Sequence, residues 1–222
     1  EIGEDVWGLN EFFHNDIDEL VNAFTSAQKE IASDMELRLQ IGLSRHCPIS
    51  YLEDCLSHFW GNKNFYSIDL YGDELAQPIE NFKGIYRRAK KEGLRLKAHV
   101  GEWGTAKDVR TAVEELELDE VQHGIAAAGD ESVIRFLAEH KIRLNITPTS
   151  NILLGRVADM SMHPIGKLYH SGVDVTINSD DVLIFDSDVS KEYLRLYESQ
   201  CLTAEELENI RKNGLKPISL GK

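Results

Sequence analysis

Two hydrophobic periods alternate along this chain, and that alternation constrains its fold more than anything else in it. Stretches with apolar residues at every second position read as strands, and those with apolar residues three or four apart read as helices. Six segments read as strands: 36–46, 65–70, 94–100, 120–125, 142–146 and 173–177. In the first, Leu37, Leu39, Ile41 and Leu43 share one face, and in the last Val173, Val175 and Ile177 do. Helical patterns lie between and around them. Leu9, Phe12, Phe13, Ile17, Leu20, Val21, Phe24 and Ile31 form a stripe over 9–31. Pro78 opens a helix that Gly93 closes, Thr105 and Asp108 have the spacing of an acidic capping box, and Thr203 with Glu206 has the reciprocal form. A further helix carries Val189, Tyr193, Leu196 and Tyr197. Strands and helices in strict alternation imply a parallel sheet with helices on its faces, either an open doubly wound sheet or a (β/α)8 barrel. No low-complexity linker interrupts the pattern, so residues 1–222 are expected to form one domain.

Composition removes several function classes. The net charge of −14 argues against nucleic acid or an anionic membrane as a partner held by bulk electrostatics. No run of 18 apolar residues occurs, and the first residues lack the basic start and apolar core of a signal peptide. Cys47, Cys55 and Cys201 are an odd number without CxxC spacing, which fits a reduced, cytoplasmic setting. Neither Gly-x-Gly-x-x-Gly nor Gly-x-x-x-x-Gly-Lys-Ser/Thr is present, so a nucleotide-phosphate cradle has no support.

Five of the six strands end in chemically notable residues: Gly72-Asp73-Glu74, His99 with Glu102, His123, Thr149-Ser150-Asn151, and Asp180-Asp181. All are carboxyl ends, which in a parallel barrel share the rim where active sites form. Singly, each has a plainer explanation. His99 could be a core histidine, His123 a strand terminator, Glu102 the cap of the next helix, and Asn178-Ser-Asp-Asp181 a turn. His46, His163 and His170 fit turn or cap roles and are read as structural, while His14, His58 and His140 read as surface or helix positions. Together the strand ends supply imidazole and carboxylate, a ligand chemistry suited to zinc or a similar divalent ion.

His99-Val-Gly-Glu102, Val121-Gln-His-Gly124, Thr147-Pro-Thr-Ser-Asn151, His163-Pro-Ile and Ile177-Asn-Ser-Asp-Asp181 resemble the motifs of the adenosine deaminase family of metal-dependent hydrolases. Ile68-Asp-Leu-Tyr-Gly-Asp-Glu74 is similar to that family's motif on the preceding strand. The resemblance covers roughly residues 36–200 and follows the family's order. It implies a (β/α)8 barrel and hydrolytic deamination of an aminopurine, an adenosine-like nucleoside or base, by a metal-activated water. It also implies roles: His99 and Asp180 as metal ligands, Glu102 as the donor of a proton to a ring nitrogen, and His123 as the group that orients and deprotonates the water. Asp181 and the backbone at Gly72 would bind the purine ring. The implied cofactor is one zinc or similar ion per complete site, and the implied partner is a small aminopurine. Val100 and Val182 stand where that family has Ala and Pro, which bears on adenosine as the particular substrate.

The family also uses a His-x-His pair on the first barrel strand, and no His-x-His occurs in this sequence. The six strands match the third to eighth of a barrel that typically needs ~250 residues, two βα units more than are read here. The expectation is therefore about six of eight βα units in this chain, with an N-terminal segment or another polypeptide completing the barrel. Two alternatives stay open: a metal-free relative that binds a purine or a partner without chemistry, and an amidohydrolase acting on another aminated heterocycle.

Overall fold

The computed structural model describes residues 1–4 and 16–216. Among these, the chain divides into two compact units, one comprising Glu1–Ala98 with Glu115–Glu117, the other His99–Glu114 and the chain from Leu118 onward.

In the first unit a parallel sheet is built in sequence order. Its strands are β1 (Ile2–Gly3), β2 (Leu39–Ser44), β3 (Phe65–Tyr71) and the start of β4 (Arg95–Val100). The register sets Ile2 beside Ile41, Ile41 beside Ile68, and Leu70 beside Ala98, all of them buried. β1 is a strand beyond the six expected, because two residues are too few to show any periodicity. The buried Glu4 just after it accepts from the Ser44 amide at 3.0 Å and lies 3.4 Å from the Tyr71 hydroxyl. Helices α1 (Ile17–Ile31), α2 (Ile49–Leu56) and α3 (Lys83–Glu92) belong to this unit. Asp16 caps α1 by accepting from the Asp18 and Glu19 amides. The expected stripe on α1 is only partly inward: Ile17, Leu20 and Val21 are buried, but Phe24 and Ile31 are exposed. Leu9, Phe12 and Phe13 of that stripe lie outside the described residues. Leu37 is likewise exposed, since β2 starts two residues after it. Pro78 precedes a short 3-10 turn that runs into α3, which Gly93 closes as expected.

In the second unit β5 (Glu120–His123), β6 (Arg143–Ile146) and β7 (Asp174–Ile177) are parallel and again in sequence order. Polar residues inside these strands satisfy one another. Asn145 donates to Glu120, Thr176 donates to Asn145, and Asn178 donates to Thr176, each at 2.8 Å. A buried amide or hydroxyl without a partner would cost ~1–3 kcal/mol, so this ladder lets polar side chains occupy the sheet. Around the strands lie α4 (Ala106–Leu116), α5 (Glu131–His140), α6 (Pro148–Leu153), α7 (Ile165–His170), α8 (Val182–Phe185), α9 (Val189–Glu198) and α10 (Ala204–Gly214). Thr105 and Asp108 form the acidic box at α4, with the Thr105 amide donating to Asp108 at 2.8 Å. Thr203 and Glu206 form the reciprocal box at α10. On α9 the buried face is Glu192 and Leu196, while Val189 and Tyr197 are exposed. The inward carboxylate was invisible to an apolar stripe.

Candidate active site

The expected catalytic and metal-binding residues fall in the second unit, at the carboxyl ends of its strands. Residues 99 and 100 end β4, and the turn beyond them is fixed by Gly101. Its φ is +77°, and a Cβ there would sit 2.3 Å from Val109 Cγ2, so neither the conformation nor the space accepts a side chain. The Gly101 carbonyl accepts from the Ala126 amide at 2.9 Å, and the Val100 carbonyl from the Gly124 amide at 3.1 Å. These bonds bring the loop carrying Glu102 against the end of β5. There His123 holds a left-handed φ of +62°, a conformation that costs a non-glycine residue roughly 1–2 kcal/mol. Strain of this kind persists where surrounding contacts over-determine a residue, and it marks functional positions. Ring contact with His99 is part of that surround, with centroids 5.2 Å apart.

Glu102, His123 and Asp180 each present a ligand atom within 4.8 Å of the others. Glu102 Oε1 lies 3.4 Å from His123 Nδ1, and both side chains are largely withdrawn from solvent. The start of α4 is capped by Thr105 and Asp108, while Glu102 reaches into this group. The motif Thr147–Asn151, at the end of β6, runs into α6 and sets Thr147 and Asn151 against the pair. Thr147 Oγ1 lies 3.1 Å from His123 Nδ1, 2.8 Å from Ser150 Oγ and 3.5 Å from Asp180 Oδ2. The buried Asn151 amide donates to Glu102 Oε1 at 2.9 Å and lies 3.4 Å from His123 Nδ1. Asp180 accepts from the Asp181 amide at 2.9 Å. Asp181 precedes α8 but its side chain caps nothing there, and it stays exposed. Glu192 holds this rim from behind. Its buried carboxylate accepts from the Thr149 amide at 2.9 Å and from the Ser187 hydroxyl, while Arg195 donates to Thr149 Oγ1 at 2.6 Å. Gly72, the other expected substrate contact, belongs to the first unit, in the turn after β3. There its neighbours are His46 and the Arg45 amide.

His163, read from sequence as structural, is joined to this group. It is buried, its Nδ1 accepts from the Ile165 amide at 3.1 Å, and its Nε2 lies 3.3 Å from Asn151 Oδ1. Nothing in a lone His-Pro pair signals such a role beyond its place in a motif. Burial pulls its pKa down from 6.5 to about 4. The sign of the consequence follows. The folded imidazole stays neutral to about pH 4, whereas the unfolded one takes a proton below about 6.5. The unfolded state binds more protons between these values, so this contribution to stability is intact above 6.5 and is lost as the pH falls toward 4. Urea unfolding of the wild type and of His163→Gln at pH 7 and pH 4.5 checks it. The wild type should lose more stability on acidification than the variant, by on the order of 2–3 kcal/mol. Equal losses would mean His163 is not held neutral.

A carboxylate–imidazole group at the carboxyl ends of parallel strands is the arrangement of a barrel hydrolase site. The spacing also suits an ion: donors within 4.8 Å of one another can share a cation at bond lengths of ~2.0–2.2 Å. Comparison with known proteins agrees with that class. The family model described as adenosine deaminase matches residues 12–220, and the chain belongs to the adenosine deaminase family. A putative adenosine/adenine deaminase of Treponema pallidum (strain Nichols) is 37% identical over 196 residues, covering 88% of this chain and 66% of the relative. The crystal structure of an adenine deaminase from Arthrobacter aurescens matches with a TM-score of 0.78 at 25% identity, covering 88% of this chain and 59% of that one. An amidohydrolase from Burkhoderia ambifaria with bound zinc shares the fold, with a TM-score of 0.78 at 23% identity over 89% of this chain and 55% of that one. The fold is thus the α/β barrel type of these deaminases, and the chain spans less than two thirds of each of these proteins. Among the described residues no helix is long and apolar enough to cross a membrane.

Proposed function

We propose that this protein acts in the hydrolytic deamination of an aminopurine, with release of ammonia. The observation that carries the reading is the convergence of Glu102, His123 and Asp180 within 4.8 Å. It is joined by membership of a deaminase family and by likeness to an adenosine/adenine deaminase. His99 and Asp180 would hold a divalent ion, zinc by the chemistry of the donors. When bound, that ion lowers the pKa of water to ~7 and so supplies hydroxide at neutral pH.

The chain's own residues do the remaining work. Asp181, exposed beside Asp180 and unused as a helix cap, binds the purine edge. His123, whose Nδ1 lies 3.4 Å from Glu102 Oε1, takes a proton from the attacking water. Asn151 occupies Glu102 Oε1 as a donor, so the acidic proton sits on Oε2 and is given to the ring nitrogen next to the reacting carbon. A C–O bond forms at the carbon bearing the amino group. The C–N bond then breaks, the proton held by His123 leaves with ammonia, and the proton of the new hydroxyl returns to Glu102 as the C=O of the 6-oxopurine forms. Thr147 and Asn151 hold His123 in the needed rotamer without taking part.

The test is a panel of adenine, adenosine and adenosine monophosphate, with ammonia and the 6-oxopurine product both quantified. Equal yields of the two from at least one member support the reading. A product that keeps the 6-amino group, or cleavage of the glycosidic bond instead, would overturn it.

A further inference from the structure

We propose that His163 is a positioning residue that sets the orientation of the Asn151 amide, and through it the placement of Glu102 and His123. It rests on the reading of those two residues as proton carriers.

The direction of each bond is fixed by chemistry. The Ile165 backbone N–H can only donate, so His163 Nδ1 must accept and carries no proton. A neutral imidazole with Nδ1 bare has its proton on Nε2. That N–H lies 3.3 Å from Asn151 Oδ1, which can only accept. The Asn151 side chain is fully buried, so it has no solvent to turn toward. With Oδ1 engaged by His163, both N–H groups of the amide point the other way. One donates to Glu102 Oε1 at 2.9 Å and the other lies 3.4 Å from His123 Nδ1. A flipped amide would set a carbonyl oxygen against the Glu102 carboxylate, where two acceptors repel and neither is satisfied. The tautomer of one buried histidine thereby determines which oxygen of Glu102 can carry a proton, and it favours an unprotonated Nδ1 on His123.

The proposal also accounts for a feature left unexplained by packing alone. An imidazole buried beside Pro164 spends both of its nitrogens on hydrogen bonds, one to backbone and one to an amide that itself reaches the reactive pair. Neither His163 nor Asn151 is among the residues that would hold the ion, so their arrangement is not explained by metal binding.

Two substitutions separate positioning from mere support. In His163→Asn the shorter amide reaches the position of Nδ1 and can accept from Ile165, but nothing occupies the position of Nε2. In His163→Gln an amide nitrogen lies near the position of Nε2 and can still donate to Asn151. His163→Asn is expected to lower kcat for an aminopurine by ~10–100-fold, the usual cost of losing an outer-shell partner, with KM changed less than about threefold. His163→Gln should recover kcat to within about threefold of wild type. In an Asn151→Ala background, His163→Asn should cost less than about twofold more, because residues acting in one chain are not additive. Equal losses in the two single variants, or the full loss repeated in the Asn151→Ala background, would overturn the proposal.

Nitrogen-15 NMR of the imidazole and side-chain amide groups reads the same relay without turnover. The expected result is an Nε2–H, Nδ1-bare His163 at neutral pH, and an Asn151 amide resonance that moves in His163→Asn and stays in His163→Gln. An Nδ1–H tautomer, or an Asn151 amide indifferent to both substitutions, would sink the relay. Wild-type protein that deaminates no aminopurine would refute the proposed function instead, and the NMR result would still decide the role of His163. If His163→Asn does not fold, the tautomer and the His163→Gln spectrum still decide it.

Discussion

Glu102→Gln is expected to lower aminopurine turnover by ~10²–10⁴-fold, the span that a positioned acid or base contributes, while the protein keeps its metal. The replacement is nearly isosteric, and its amide can still accept from Asn151 through its oxygen. What it removes is the acidic proton. The metal readout matters because Glu102 lies within 4.8 Å of His123 and Asp180 in a group whose donors could all serve as ligands. If Glu102 is the acid, metal content is unchanged and kcat falls. If metal and activity are lost together, Glu102 is a ligand and the division of labour proposed for the three residues is wrong. His123→Ala should behave in the same way, losing turnover by a similar factor with the metal retained.

Asp180→Ala is expected to do the opposite and weaken metal binding by more than the ~10–100-fold that follows loss of an outer partner. Asp180 sits at the end of β7, half-buried, with the Asp181 amide donating to one carboxylate oxygen and Thr147 near the other. Those contacts place the side chain, and they do not neutralise its charge. Removing it leaves His99 as the one proposed ligand among the residues named here, so metal content after dialysis should drop sharply. Unaltered metal content in Asp180→Ala would remove Asp180 from the ligand set. The adjacent Asp181→Ala should retain the metal, because that exposed side chain faces substrate in the proposed scheme; loss of metal there would reverse the two roles.

The alternation of hydrophobic periods made the strands legible because apolar burial is what sets them. Ile41, Leu43, Ile68 and Leu70 are all buried as the pattern requires. Helix caps were legible for a related reason: Thr105 with Asp108, and Thr203 with Glu206, satisfy backbone groups by local chemistry that spacing alone reveals. Pattern failed where tertiary contact decides. Phe24 and Ile31 continue the stripe of α1 but stay exposed among the described residues. Glu192 interrupts an apolar face yet is buried, since the Thr149 amide and the Ser187 hydroxyl satisfy it.

The site divides in the same manner. Glu102, His123 and Asp180 were visible as polar strand ends, and the structure brings all three together. His163 lies 40 residues from His123 in the sequence, and its link to the site passes through Asn151. No spacing rule could reveal a contact made through an intermediate side chain. Gly72 lies in the other compact unit, so its part in binding rests on the family motif alone.

The measurement that tests the central claim most directly is ammonia release from adenine and adenosine by metal-stripped protein, before and after zinc is returned. The account predicts no ammonia from the stripped protein. With zinc it predicts ammonia and 6-oxopurine in equal amounts from at least one of the two. Binding of zinc with no ammonia from either, in protein shown to be folded, would contradict it.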